Sequence, residues 1–156
     1  AEMAAADVGR LGRRTFGSWR QGRFDTLLRD AGISATKKVR RLSRGMGMKV
    51  QLAVALAHEA ELLVLDEPTS SLDLANQHHV LKLVRELCDK DSFAAVIVIH
   101  DINLALRYCD SFLLLKDGEV YADGGIEVLN ADHLKAVYGI DAEIVEVRGH
   151  KIILMD

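Results

Sequence analysis

The sequence predicts an α/β fold: a mostly parallel sheet with a helical portion in front of it. Three observations carry that prediction. Residues 62–65, 94–99 and 111–115 are short apolar runs. They are too short for helices and lack strand alternation, so they read as strands buried on their faces, as in a parallel sheet. Amphipathic helical patterns lie between the first and later runs. Two adjacent carboxylates, Asp66 and Glu67, follow the first run at its carboxyl end, where open α/β sheets bind ligands.

Residues 1–22 are the least patterned. Arg10, Arg13, Arg14, Arg20 and Arg23 make a basic stretch that reads as a solvated helix surface, with Trp19 and Phe24 as its anchors. Phe24, Leu27 and Leu28 recur at i, i+3 and i+4, which gives a helix over 23–30 with Gly32 as its stop. A basic run, 37–41, leads into Leu42-Ser43-Arg44-Gly45-Met46-Gly47. The helix that follows presents Val50, Leu52, Ala53, Leu56 and Ala57 on its apolar side. A glycine-containing turn that opens a helix points backbone N–H groups outward and, with the helix dipole, suits an anion. The plainer reading is an N-cap by Ser43.

Pro68 stops the first strand, and Ser70, Ser71 and Asp73 offer caps for a helix over 74–89. Its core-facing set is Val80, Leu81, Leu83, Val84 and Leu87. His78 and His79 diverge on that helix and read as solvated rather than as a metal pair. Residues 90–92 read as a turn. The second strand ends at His100, and Asp101 caps a helix over 102–108. An Asp117-Gly118 turn makes a hairpin of the third strand and 120–122. Short helices follow over 126–129 and 132–138, the latter capped by Asp132 and ended by Gly139. Residues 142–147 and 151–155 form a terminal hairpin.

At 156 residues, 49% apolar and 28% charged, the chain reads as a globular protein with a real core. Its net charge of -3 gives no sign of a nucleic-acid surface. No apolar run approaches the ~18 residues of a membrane span. Cys88 and Cys109 lack CxxC spacing and read as reduced, half-buried thiols in a cytoplasmic protein. The first residue, Ala1, is not methionine, which points to a trimmed chain.

Residues 62–67 resemble the Walker B strand of ATP-binding-cassette (ABC) ATPases, and 70–73 their D-loop. Leu42-Ser43-Arg44-Gly45-Met46 resembles the family signature, and His100 its switch histidine. The resemblance implies a partial RecA-like P-loop NTPase core with an ABC helical subdomain: residues 1–58 the helical portion, 59–156 the back half of the core. It implies ATP and Mg²⁺ as cofactors. Asp66 is then the Mg²⁺ partner, Glu67 the general base and His100 the γ-phosphate sensor. Ser43 and Gly45 would contact the nucleotide of the opposite subunit, with Asp73 at the dimer seam. Hydrolysis of this kind rests on positioning and electrostatic stabilisation. Implied partners are a second ATPase subunit and transmembrane transporter subunits, with the chain peripheral on the cytoplasmic face.

Arg44 and Met46 depart from the commoner Leu-Ser-Gly-Gly-Gln, a variant that resembles exporter-type cassettes. The terminal hairpin resembles those of metal-chelate importers. No Gly-Lys pair occurs, so the phosphate cradle G-x-x-x-x-G-K-[ST] is absent from these residues. The chain therefore reads as the back portion of a cassette, prone to self-association where the cradle strand would lie. A non-enzymatic interaction module that keeps the fold is the alternative. A DNA-repair type is disfavoured, because heptad arms and a basic face are lacking.

Overall fold

The computed structural model describes residues 2–70, 72–91 and 93–155. Its order is α1 (Ala5–Thr15), α2 (Gln21–Asp30), α3 (Arg44–Ala57), β1 (Leu62–Asp66), α4 (Leu74–Asp91), β2 (Ala94–Val98), α5 (Ile102–Tyr108), β3 (Phe112–Lys116), β4 (Glu119–Gly124), α6 (Ala131–Tyr138), β5 (Ala142–Val147) and β6 (His150–Met155). Two compact units divide between Val98 and Ile99. The expected helical portion, 1–58, lies wholly in the first.

In the first unit, α1, α2 and α3 share a core of Ala5, Phe24, Leu28, Ile33, Val50, Ala53 and Ala57. Two glycines let α1 sit close. A Cβ on Gly12 would meet the Trp19 ring at 2.3 Å, and one on Gly9 the Phe24 ring at 2.8 Å. Trp19 and Phe24 thus anchor the first helix as expected, by packing on bare backbone. The first N–H groups of α1 are met from outside the helix: Ala5 donates to the Lys37 carbonyl and Ala6 to that of Ala35, both at 2.9 Å. This lays residues 35–38 across the start of α1, just before the signature-like turn. The helix α2 ends at Gly32 (φ +69), with Ile33 N–H donating to Leu28 O and Gly32 N–H to Arg29 O.

β1 and β2 pair in parallel, Leu62 with Ala94 through Asp66 with Val98. Burial on both faces does not hold. Leu63, Leu65, Ala95 and Ile97 pack with Leu52 of α3 and Val84 of α4. The other face is open: Leu62 is 54% exposed, Val64 64%, Val96 53% and Val98 46%. Both α3 and α4 lie on one side of the strand pair, so the apolar run supplies a second face that stays exposed among the described residues. β3 departs likewise, with Leu114 buried but Leu113 and Leu115 exposed. The predicted core set of α4 is buried at Val80, Leu81, Val84 and Leu87 and half-buried at Leu83. That helix runs on through Asp91, two residues past its expected end, so Lys90 and Asp91 are helical where a turn was expected; Ser92 lies outside the described residues.

In the second unit, β3–β4 and β5–β6 are antiparallel hairpins. Both turns take positive φ at two residues, Asp117 with Gly118 and Arg148 with Gly149. Asp101 caps α5 as expected, accepting from Leu104 N–H at 3.0 Å. The cap of α6 is Asn130, whose Oδ1 accepts from His133 N–H at 2.9 Å, in place of the expected Asp132. Asp132 instead sits in the first turn, still favourable to the helix dipole. Leu114, Val128, Leu129, Leu134 and Ile153 form this unit's core.

Asn103 ties α5 to β6. Its Nδ2 donates to Ile153 O at 3.0 Å, and its Oδ1 accepts from Ile153 N–H at 2.8 Å. Ile153 is 2% exposed, so removing the carboxamide strands two buried backbone groups. Asn103→Ala is expected to cost roughly 2–3 kcal/mol in urea unfolding. A loss below ~0.5 kcal/mol would show that this clamp carries little stability.

Candidate functional site

The site is built where β1 ends. Alternation sends Leu62, Val64 and Asp66 to the exposed face, and Asp66 itself is exposed. Glu67 breaks the alternation with φ +43, a left-handed conformation uncommon for non-glycine residues. It is held there by pairing: its N–H donates to Val98 O at 3.0 Å, carrying the parallel ladder one step past β1. Such a conformation costs on the order of 1 kcal/mol and persists where the surroundings over-determine it. The two acids therefore leave the strand end in different directions.

Thr69 and Asp73 are tied to α4. Pro68 and Thr69 are buried. Ser70 N–H donates to Glu67 O at 3.0 Å, and Gln77 Nε2 to Thr69 O at 3.2 Å. Of the expected caps Asp73 serves, its Oδ1 accepting from Asn76 N–H at 2.9 Å. Ser71 lies outside the described residues. Asp73 Oδ2 also accepts from Asn76 Nδ2 at 2.7 Å.

These bonds hold the Asp73 carboxyl below its ordinary value of 3.8, the Asn76 backbone N–H first and its side chain second. A carboxyl lowered in the folded state stabilises it above the unfolded value, and that contribution is lost as pH falls through the lowered one. The first turn of α4 is thus expected to keep its Asn76 amide shift down to about pH 4 and to lose it only in stronger acid. NMR titration of that amide checks this; a midpoint at or above the ordinary value would contradict it.

At the signature-like turn, Ser43 caps α3, its Oγ accepting from Met46 N–H at 3.3 Å. The plainer reading of Ser43 therefore holds, and it leaves the hydroxyl proton available to a further acceptor. Gly45 is buried in the first turn. Met46 packs against the core of α1–α3 and receives Lys37 Nζ at 3.4 Å on its sulfur. Its side chain is occupied in packing, which accounts for an apolar residue there. The structure brings Gly45 and the Asp73 loop together through Asn76, a residue the sequence reading did not single out. His100 belongs to the second unit, exposed, just ahead of the Asp101 cap. A groove of about 420 Å³ between α2, α3 and α4 is lined by none of the predicted site residues.

A family model described as ABC transporter matches residues 3–70. An uncharacterized ABC transporter ATP-binding protein of Methanocaldococcus jannaschii is 40% identical over 159 residues, covering 97% of this chain and 63% of its own length. The chain belongs to the ABC transporter family of ATP-binding proteins. A hemin import ATP-binding protein of Bordetella avium is 36% identical over 155 residues, covering 93% of this ABC-family chain and 55% of its own length. At that coverage the importer likeness takes in the signature-like turn. The chain thus spans less than two thirds of either relative. Among solved structures, one described as a metal-chelate type ABC transporter in an inward-facing conformation superposes with a TM-score of 0.83 at 24% identity. It covers 100% of this chain and 67% of its own, and establishes the fold: a partial RecA-like core with the ABC helical subdomain.

Proposed function

We propose that this chain forms the signature and Walker B part of an ATP-binding subunit that couples ATP hydrolysis to import of a metal chelate of the hemin or siderophore class. The hemin import relative supports the substrate class, and the metal-chelate type structural neighbour shares the fold. The observation that carries the reading is the strand end itself: Asp66 is the exposed last residue of β1, and Glu67 directly after it is held in a left-handed conformation by the β1–β2 ladder.

In this reading Asp66 holds Mg²⁺, through water or directly, at the exposed edge of the sheet. Glu67 orients and deprotonates the attacking water. His100 bonds the γ-phosphate. Ser43 and Gly45 face the nucleotide of a second subunit, and Asp73 lies at the seam between the two. Residues 1–58 act as the helical portion and 59–156 as core. The phosphate cradle is supplied by sequence other than these 156 residues, which hold no Gly-Lys pair. Among the described residues no helix is long and apolar enough to cross a membrane. Attachment to transmembrane subunits on the cytoplasmic side follows from the transporter role.

Substituting Mn²⁺ for Mg²⁺ tests the metal assignment. In the assembly that contains this chain, ATP-dependent Mn²⁺ binding seen by electron paramagnetic resonance is expected to fall at least ~10-fold in Asp66→Asn. Undiminished binding would sink that role for Asp66.

A further inference from the structure

Gly45 has no φ that demands glycine, because it lies in the first turn of α3. It is small for another reason. A Cβ there would stand 3.1 Å from Asn76 Oδ1 and 3.3 Å from Asn76 Cγ. Gly47, two residues on, has nothing within 4 Å of the same position. The crowding is thus particular to the contact between the start of α3 and the start of α4.

Asn76 cannot swing aside cheaply. Its backbone N–H and its side-chain Nδ2 both donate to the one Asp73 carboxylate, at 2.9 and 2.7 Å. The carboxamide is closed into a ring with Asp73, and its oxygen is left facing Gly45. A displacement of Gly45 toward α4 that takes up the space of a methyl group meets that carboxamide, and the carboxamide is tied to Asp73.

We propose that Asn76 is a positioning residue that couples the Ser43–Gly45 turn to Asp73 within one chain, through the carboxamide wedged between Gly45 and the Asp73 carboxylate. An anion drawn onto the α3 turn shifts Gly45, and Asn76 passes that shift to Asp73, on the segment that follows Glu67. The functional sense of the link rests on the reading of Ser43, Gly45 and Asp73 as nucleotide-facing. The contact itself does not.

The test uses the 156-residue chain and no nucleotide. The carboxyl carbon of Asp73 is followed by NMR through an acid titration in the parent, in Gly45→Ala, in Asn76→Ala and in the double variant, with Gly47→Ala as control. Gly45→Ala is expected to move the Asp73 titration upward toward the ordinary carboxylate value. That shift should vanish in the Asn76→Ala background, and Gly47→Ala should cause none. An Asp73 titration unmoved by Gly45→Ala overturns the link, as does a shift that persists without Asn76. Should Gly45→Ala not fold, Asn76→Ala alone decides. It must displace the amide resonances of Arg44 and Gly45 as well as that of Asp73, and a change confined to Asp73 overturns the proposal. If the link holds while Ser43→Ala leaves ATP turnover of the assembled transporter unchanged, the nucleotide reading fails and the coupling stands.

Discussion

Glu67→Gln is expected to lower ATP turnover at least ~100-fold in a transporter assembly containing this chain, while nucleotide affinity changes less than about threefold. Glutamine keeps the size and hydrogen-bonding reach of the side chain but cannot take a proton from water. Loss of turnover with binding retained marks an interaction made only in the transition state. The backbone prepares this outcome: the Glu67 N–H bond to Val98 O fixes the residue whatever its side chain, so the substitution leaves the strand end in place. Phosphate release measured alongside nucleotide binding separates the two effects. Turnover within about tenfold of the parent would remove Glu67 from the chemistry.

The bare face of the β1–β2 pair gives the second large effect. Leu62, Val64, Val96 and Val98 are each about half exposed or more and lie on one side of two adjacent strands. Such a contiguous apolar surface, on strands whose only ladder among the described residues is with each other, favours association between copies. The isolated chain is expected to self-associate as its concentration rises, seen as an increasing sedimentation coefficient. Threonine at Val64 and Val96 keeps the β-branched shape and adds a hydroxyl. The double variant is expected to need roughly tenfold higher concentration for the same association. Concentration-independent, monomeric sedimentation of the parent would contradict this.

What the sequence made legible was local. The run 102–108 with Asp101 before it became α5 with Asp101 as cap, because periodicity and capping act within one turn. The α3 apolar side was read correctly for the same reason: Val50, Leu52, Ala53, Leu56 and Ala57 are all buried. Strand positions were also legible, but their burial was not. Continuous apolar character states what a strand can bury, whereas exposure depends on which layers lie against it. The cap of α6 slipped from Asp132 to Asn130 because both types cap well and boundaries carry the weakest signal.

In the candidate site, Asp66, Glu67 and Asp73 sit where the strand and cap patterns put them. The left-handed Glu67 had no signal, since that conformation is enriched in asparagine, aspartate and histidine rather than glutamate. Asn76 had none either. Its importance comes from a contact with Gly45, far away along the chain, and only the packing of α3 against α4 reveals it.

The most direct measurement is calorimetric titration of the 156-residue chain with ATP and Mg²⁺, carried to millimolar nucleotide, beside Asp66→Asn. The chain carries the proposed hydrolytic and signature groups without a Gly-Lys phosphate cradle, so no saturable heat is expected from either protein. Saturable binding by the parent that vanishes in Asp66→Asn would contradict this, showing that the acids and the α3 turn hold Mg-nucleotide without the cradle.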